Sequence, residues 1–355
     1  MNAHNKGIVG LACAITLRER WTIMPDRRFL GVATALAAFC TNMSCAPTWL
    51  DHPTSTSLQR ELIDKSRKGL ALAKFEGHEF SPAVRYFDGQ IKSLKLACCS
   101  RTEGITLSHG RFAMLDMTSS PFVHPLVDPE QHVASLPKQG GQVVVIDTNG
   151  SLVLRSDLWI NSGIVSLSPD RDLFAFVGRV RGHPPEDVGV YIAGFHDSEA
   201  RKLMNLTLAL PYDHGIDVSV WTTLDWSPQG EALLLSYHGA IYNLDIATAR
   251  SRKIADGGVA KWSPSGDSIS YVTLKAEPAL LNLASGETKL IDPGHETNLA
   301  LEWSPDGEYV LVPEGEGSHV PYGCLWVYRV SDGAWAPILW WGIGGPSPQW
   351  IQFPK

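Results

Sequence analysis

Nine histidines fall within residues 105–355: His109, His124, His132, His183, His196, His214, His238, His295 and His319. Imidazole is both a metal ligand and an acid–base group near neutral pH, so several converging on one surface would hold a metal or move a proton. No Cys-x-x-Cys pair and no Cys/His run with zinc spacing accompanies them. Nothing local brings them together; any convergence has to be made by the fold. Other local chemistry is missing. The chain has no G-x-S-x-G nucleophile elbow, P-loop, dinucleotide fingerprint or EF-hand loop. Asp170, Asp267 and Asp306 sit in turn sequences, and we read them as turn formers rather than acids or bases.

The elements that would position these groups are written as a repeat. "LSPDR" (167–171), "WSPQG" (226–230), "WSPSG" (262–266) and "WSPDG" (303–307) share one spelling. Pro presets φ, Asp tolerates the bridge region and Gly accepts positive φ, which makes each a tight turn. Strand-like runs flank each turn, such as "TTLDW" before and "EALLLSY" after. The repeat skeleton is Pro169, Trp226, Pro228, Gly230, Trp262, Pro264, Gly266, Trp303, Pro305 and Gly307, with each Trp directed into the layer between neighbouring sheets.

A hairpin follows each unit: 143–155, 190–204, 241–254, 280–291 and 325–339. The spacings Trp226 to Trp262 (262 − 226 = 36) and Trp262 to Trp303 (303 − 262 = 41), with four strands per repeat, indicate an all-β, single β-propeller. "ITLSHGRFAML" (105–115) is a degraded first unit, and Trp350 begins a last strand that the chain does not complete. Pairing that strand with N-terminal strands near 83–97 would close the ring and remove its open edges. Six four-stranded blades is the count, with seven as the alternative.

These residues resemble the WD-like propeller repeat of the TolB type, whose signature is Trp-Ser-Pro-Asp-Gly followed by an apolar strand. The resemblance covers residues 105–353 and is strongest at 303–308. It implies a propeller and leaves function open. Oligogalacturonate lyases share this repeat class and use histidines around a metal. In a propeller the a–b and c–d turns lie on one face and the b–c and d–a loops on the other. The second face would gather His124, His132, His183, His214, His238, His295 and His319. Of these, His183, His214, His238, His295 and His319 are the metal candidates. Trp159, Tyr212, Trp221, Tyr322, Trp340 and Trp341 lie in loops near the same face, where they would serve sugar stacking, a protein partner or packing between blades.

The N-terminus reads as an address. Arg27 and Arg28 precede the twelve-residue apolar run "FLGVATALAAFC" (29–40), and polar residues follow up to Ala46. That is a secretory signal's layout, with cleavage after Ala46, and the run is too short for a membrane helix. Translation starts at Met1 or at Met24. A lipid anchor at Cys40 or Cys45 fits poorly. Cys98, Cys99 and Cys324 remain after cleavage, either one bridged pair and a free thiol or three free thiols.

A net charge of −7 with no basic stripe excludes a nucleic-acid binder held by phosphate contacts. The domain reading is an N-terminal extension and signal (1–46), a linker with a short helix (47–80) and the propeller (81–355). The functional reading is an exported, periplasmic or extracellular monomer. It would be a non-enzymatic scaffold that needs no cofactor and binds an envelope protein or peptide. The alternative is a metal-assisted polysaccharide lyase or hydrolase at the histidine face, for which Arg179, Arg181 and Lys275 are the few loop cations.

Overall fold

The computed structural model describes residues 56–66, 70–76, 81–86, 91–93, 102–108, 111–116, 140–147, 151–206 except Pro185, 222–291, 297, 300–313, 324–339 and 349–352. The chain divides into two units, Met1–His52 and Pro53–Lys355, and every described residue belongs to the second. The proposed signal, Cys40 and Cys45, and Cys98 and Cys99 lie outside the described residues.

Among the described residues one helix, α1 (Thr56–Ser66), precedes the strands. β1 (Leu70–Glu76), β2 (Ser81–Tyr86) and β3 (Ile91–Ser93) form a sheet. Then come β4 (Thr102–Ser108), β5 (Arg111–Asp116), β6 (Gly141–Ile146), β7 (Leu152–Leu167), β8 (Leu173–Val180), β9 (Gly189–Gly194) and β10 (Arg201–Asn205), joined in one seven-stranded sheet. Three four-stranded meanders follow. They are β11 (Thr223–Trp226) to β14 (Ser251–Asp256), β15 (Gly258–Trp262) to β18 (Thr288–Leu290), and β19 (Glu302–Trp303) to β22 (Trp335–Leu339). The intervening strands are β12 (Ala232–Tyr237), β13 (Ala240–Asp245), β16 (Ser268–Val272), β17 (Pro278–Asn282), β20 (Tyr309–Pro313) and β21 (Cys324–Arg329). The last strand, β23 (Gln349–Gln352), joins the first sheet in the order β23-β1-β2-β3.

The terminal strands therefore pair, but not where the sequence suggested. β23 lies antiparallel to β1, with Trp350 opposite Leu72, whereas the stretch near 83–97 supplies β2 and β3 further out in the same sheet. The reason lies in residues 47–80, expected as a linker with a short helix. They hold α1 over Thr56–Ser66 and a strand from Leu70. Gly69 is a residue type that stops helices, but the short, largely apolar "LALAKFE" after it has no periodicity that separates strand from helix. The sheets thus begin at Leu70, inside the stretch read as linker.

The seven-stranded sheet is built around β7, sixteen residues long. Its first half pairs with β6 and its second half with β8, both antiparallel, with bulges near Gln142/Val144 and Ser162/Ile164. The first strands of successive meanders, β11, β15 and β19, lie side by side, and β23 follows β19. One core packs the two halves of the seven-stranded sheet against each other, and others fill the seams between neighbouring sheets. Trp226 is 4% exposed and packs with Val190, Ile192 and Leu203 of the preceding sheet, and its indole Nε1 donates to the Ser166 carbonyl at 3.1 Å. Trp262 joins Leu234 and Ile241 across the next seam. The large flat ring fills the wedge between two twisted sheets, which is why that residue type recurs at this position.

α1 caps the last meander. Leu58 and Leu62 are buried against Tyr309, Leu311, Leu325, Val327 and Trp350. Glu61 accepts hydrogen bonds from the Tyr309 hydroxyl and the Arg329 guanidinium. Lys65 pairs with Asp306 at 2.8 Å and with Glu308, and its ammonium stands 4.5 Å from the Tyr309 ring centre. Burial, reinforced by the Glu61 carboxylate, pushes the Tyr309 phenol well above its ordinary pKa.

Candidate functional site

The Ser-Pro turns are structural. In each, the serine is buried and its hydroxyl accepts the amide five residues on: Leu173 to Ser168 at 3.0 Å, Ala232 to Ser227 at 3.0 Å, Ser268 to Ser263 at 3.1 Å and Tyr309 to Ser304 at 2.9 Å. The acids are engaged in the same turns. Asp170 and Asp306 accept from Ser168 and Ser304, and Asp267 accepts from Ser265 at 2.8 Å. The hydrogen bond from Ser168 to Asp170, and that from Ser265 to Asp267, hold both carboxyls below their ordinary pKa. Gly230, Gly266 and Gly307 have φ of 78, 79 and 72°, the left-handed region that a side chain resists. Arg171 occupies the same turn position at φ 68°. Consecutive turns also touch: the Gln229 side-chain amide donates to the Ser265 carbonyl at 2.9 Å.

The opposite end of the strands carries the histidine candidates. His238 and Gly239 are the two central residues of the β12–β13 hairpin, with φ of 52 and 70°, and the imidazole stands 4.1 Å from the Tyr237 ring. Two positive φ values in a two-residue loop are a type I′ turn, so His238 is placed by turn geometry. His183 lies in the loop between β8 and β9 and meets Asp187 through Nδ1 at 2.7 Å. Asp187 also accepts from the Lys202 ammonium, while its backbone carbonyl accepts from the Tyr191 hydroxyl at 3.0 Å. The hydrogen bond from Lys202, then that from His183, lower the Asp187 carboxyl to about 2. Asp187 and Lys202 were not singled out in the sequence; a charge pair closing a fifteen-residue span carries no local signal.

His214, His295, His319, Tyr212, Trp221, Tyr322, Trp340 and Trp341 lie outside the described residues. Among the described residues, no three His, Cys, Asp or Glu side chains come together as a metal site. His196 pairs with Asp157 at 3.1 Å, both largely exposed.

Trp159 is described and stands beside the His183 loop. It lies where β7 passes from β6 to β8, and the Arg181 amide donates to its carbonyl at 2.8 Å. The Arg181 guanidinium is stacked over the indole, 4.8 Å from the ring centre. The strand register then pairs Ile160 with Val180 and Asn161 with Arg179. Ile160 and Val180 are buried at 0 and 6% exposure, so Trp159, Asn161, Arg179 and Arg181 fall on the other face of the two strands. Asn161 is itself buried, its Oδ1 occupying the space where a side chain on Gly140 would otherwise stand and making no hydrogen bond among the described residues. Arg179 is half-buried and Arg181 exposed, and neither forms a salt bridge among the described residues.

No protein-family model matches the chain. No curated protein matches it. Solved structures do. TolB from Acinetobacter baumannii matches with a TM-score of 0.54 and 15% identity, over 80% of this chain and 66% of that one, so the chain spans just under two thirds of that protein's length. A putative TolB from Agrobacterium tumefaciens matches with a TM-score of 0.48 and 13% identity, over 81% of this chain and 99% of that one. The antiparallel sheets and the likeness to the Acinetobacter baumannii structure give the chain a TolB-like β-propeller fold.

Proposed function

We propose that this protein is an exported, TolB-like β-propeller that serves as a non-enzymatic binding scaffold in the cell envelope. In this reading the ring has six blades, the seven-stranded sheet counting as two blades that share β7. The observation that carries it is the joining of that fold to a preset surface anchor, Trp159 beneath Arg181. Aromatic residues and arginine dominate protein recognition sites because they bury much area for little lost freedom. His183 and Asp187 support it too, because their mutual contact holds a loop at the same end of the strands. Export rests on residues 24–46, and release by cleavage after Ala46 places the mature chain in the periplasm or outside the cell.

Native mass spectrometry of the protein purified from its own cells without a histidine tag tests this reading. The expected result is a metal-free mature chain beginning at Pro47, recovered from the envelope fraction. A chain retaining residues 24–46 in the cytosol would overturn export. Stoichiometric metal together with cleavage of an acidic polysaccharide would overturn the scaffold role in favour of a metal-assisted lyase.

A further inference from the structure

We infer that Trp159, Arg179 and Arg181 form a clasp for an extended acidic peptide segment bearing carboxylates on alternate residues. The inference rests on the scaffold reading and names the chemistry of its partner. Arg181 is not a free-swinging charge. Its guanidinium is stacked on the Trp159 ring at 4.8 Å, and its own amide is fixed to the Trp159 carbonyl at 2.8 Å. A stacked guanidinium keeps its planar edge of N–H donors directed outward, and that fork matches a carboxylate with two parallel hydrogen bonds. Holding the fork in advance reduces the freedom lost on binding.

The second arginine sets the spacing. Arg179 in β8 and Arg181, the first residue past its end, flank buried Val180, and the Arg181 amide continues the ladder to Trp159, so the two arginines lie two residues apart on one side, about 6.6 Å for extended backbone. An extended peptide has that same two-residue repeat on one of its sides. Carboxylates at alternate positions would meet one arginine each, whereas adjacent carboxylates point to opposite sides. The other cation nearby is engaged, since Lys202 is held by Asp187 and by Asn205 at 2.8 Å. The protein as a whole carries −7, so the two arginines also fix where an acidic chain can approach. An acidic sugar could supply carboxylates as well. The peptide is favoured because the guanidinium already covers the indole face on which a sugar ring would stack.

The test is calorimetric titration of the full mature chain with octapeptides. One alternates glutamate and threonine. A second has the same composition with glutamates in adjacent pairs separated by threonine pairs, and a third replaces every glutamate by glutamine. The alternating peptide is expected to bind, more weakly as salt rises, and several-fold more tightly than the paired one. Arg181→Lys keeps the charge but loses the fork, and should weaken binding roughly tenfold. Arg179→Gln combined with Arg181→Gln should abolish it with the melting temperature unchanged, and Arg181→Lys decides the matter should the double variant unfold. Equal binding of the glutamine peptide, no binding by the wild-type chain, or unchanged binding by the arginine variants would each overturn the clasp. Tighter binding of tetragalacturonate than of the alternating peptide would reassign the face to acidic sugars. Failure of the clasp without polysaccharide cleavage leaves the scaffold reading standing; cleavage by the wild-type chain removes both.

Discussion

Deleting residues 348–355 should strongly destabilise the fold, because those residues close its sheets. β23 contributes four register pairs to β1, from Leu70 opposite Gln352 to Ala73 opposite Gln349. Trp350 is 5% exposed, packs 6.0 Å from the Tyr309 ring and donates its indole N–H to the Glu302 carbonyl at 3.0 Å. Losing a buried Trp costs about 3–5 kcal/mol in transfer and cavity energy. The lost indole bond adds about 1 kcal/mol by leaving a carbonyl unpaired. The ladder bonds return to water and contribute little net, but β1 becomes an open edge that invites association. A total near 5 kcal/mol is a large part of the 5–15 kcal/mol typical of a domain. At about 2 °C per kcal/mol for a chain this size, the melting temperature should fall by about 10 °C. Differential scanning calorimetry measures this, and Trp350→Phe, which removes the indole bond and part of the ring but keeps the strand, should cost about half as much. A truncated protein melting within about 2 °C of the full chain would refute the closure.

Three further outcomes follow from local geometry. Lys261 is 12% exposed, 3.5 Å from Asp225 and 3.8 Å from Glu302 on the neighbouring inner strands. Burial opposes its charge, but Asp225 and then Glu302 outweigh this and raise its pKa, so its contribution is full below pH 10.5 and lost as pH rises toward the raised value. Lys261→Ala should cost about 3 kcal/mol in a denaturant titration at neutral pH by removing the cation that faces both carboxylates, and should flatten the wild-type decline above pH 10.5. Arg171→Gly should stabilise by about 0.5–1 kcal/mol by relieving a φ of 68°, whereas Gly307→Ala should destabilise by about 1 kcal/mol; the same sign for both would refute the turn argument. Asp187 has a depressed carboxyl, so its stabilisation is present above its ordinary pKa of 3.8 and lost as pH falls through about 2. Wild-type thermal midpoints should therefore drop more steeply between pH 4 and 2 than those of Asp187→Asn.

The propeller was legible because its code is local. Ser-Pro-x-Gly brings together a buried serine, a preset φ and a left-handed glycine within five residues, and three of the four copies keep all three features. The fourth shows the limit of such reading. Arg171 stands where glycine is expected, yet the turn keeps its φ because the Ser168 hydroxyl still accepts the Leu173 amide at 3.0 Å. The N-terminal boundary was missed for a related reason. A seven-residue strand directly after a helix is indistinguishable from the helix's last turns until its partner is known, and that partner, β23, lies at the far end of the chain.

The proposed binding face is encoded in register rather than spacing, which explains why its members read as residues of different roles in the sequence. Trp159 reads as one loop aromatic among six, and Arg179 and Arg181 as scattered cations. Trp159 and Arg181 are 22 residues apart (181 − 159 = 22), a separation that suggests nothing. Once Ile160 is known to face Val180, the segments "WIN" and "RVR" become paired, with the apolar face of Ile160 and Val180 on one side and Trp159, Arg179 and Arg181 on the other. The apolar face faces the core, so the pattern that buries Ile160 and Val180 also sets two arginines at the repeat of an extended chain. Packing thus fixes the spacing of the recognition groups, and a one-residue slip of β7 against β8 would bury the arginines and destroy both.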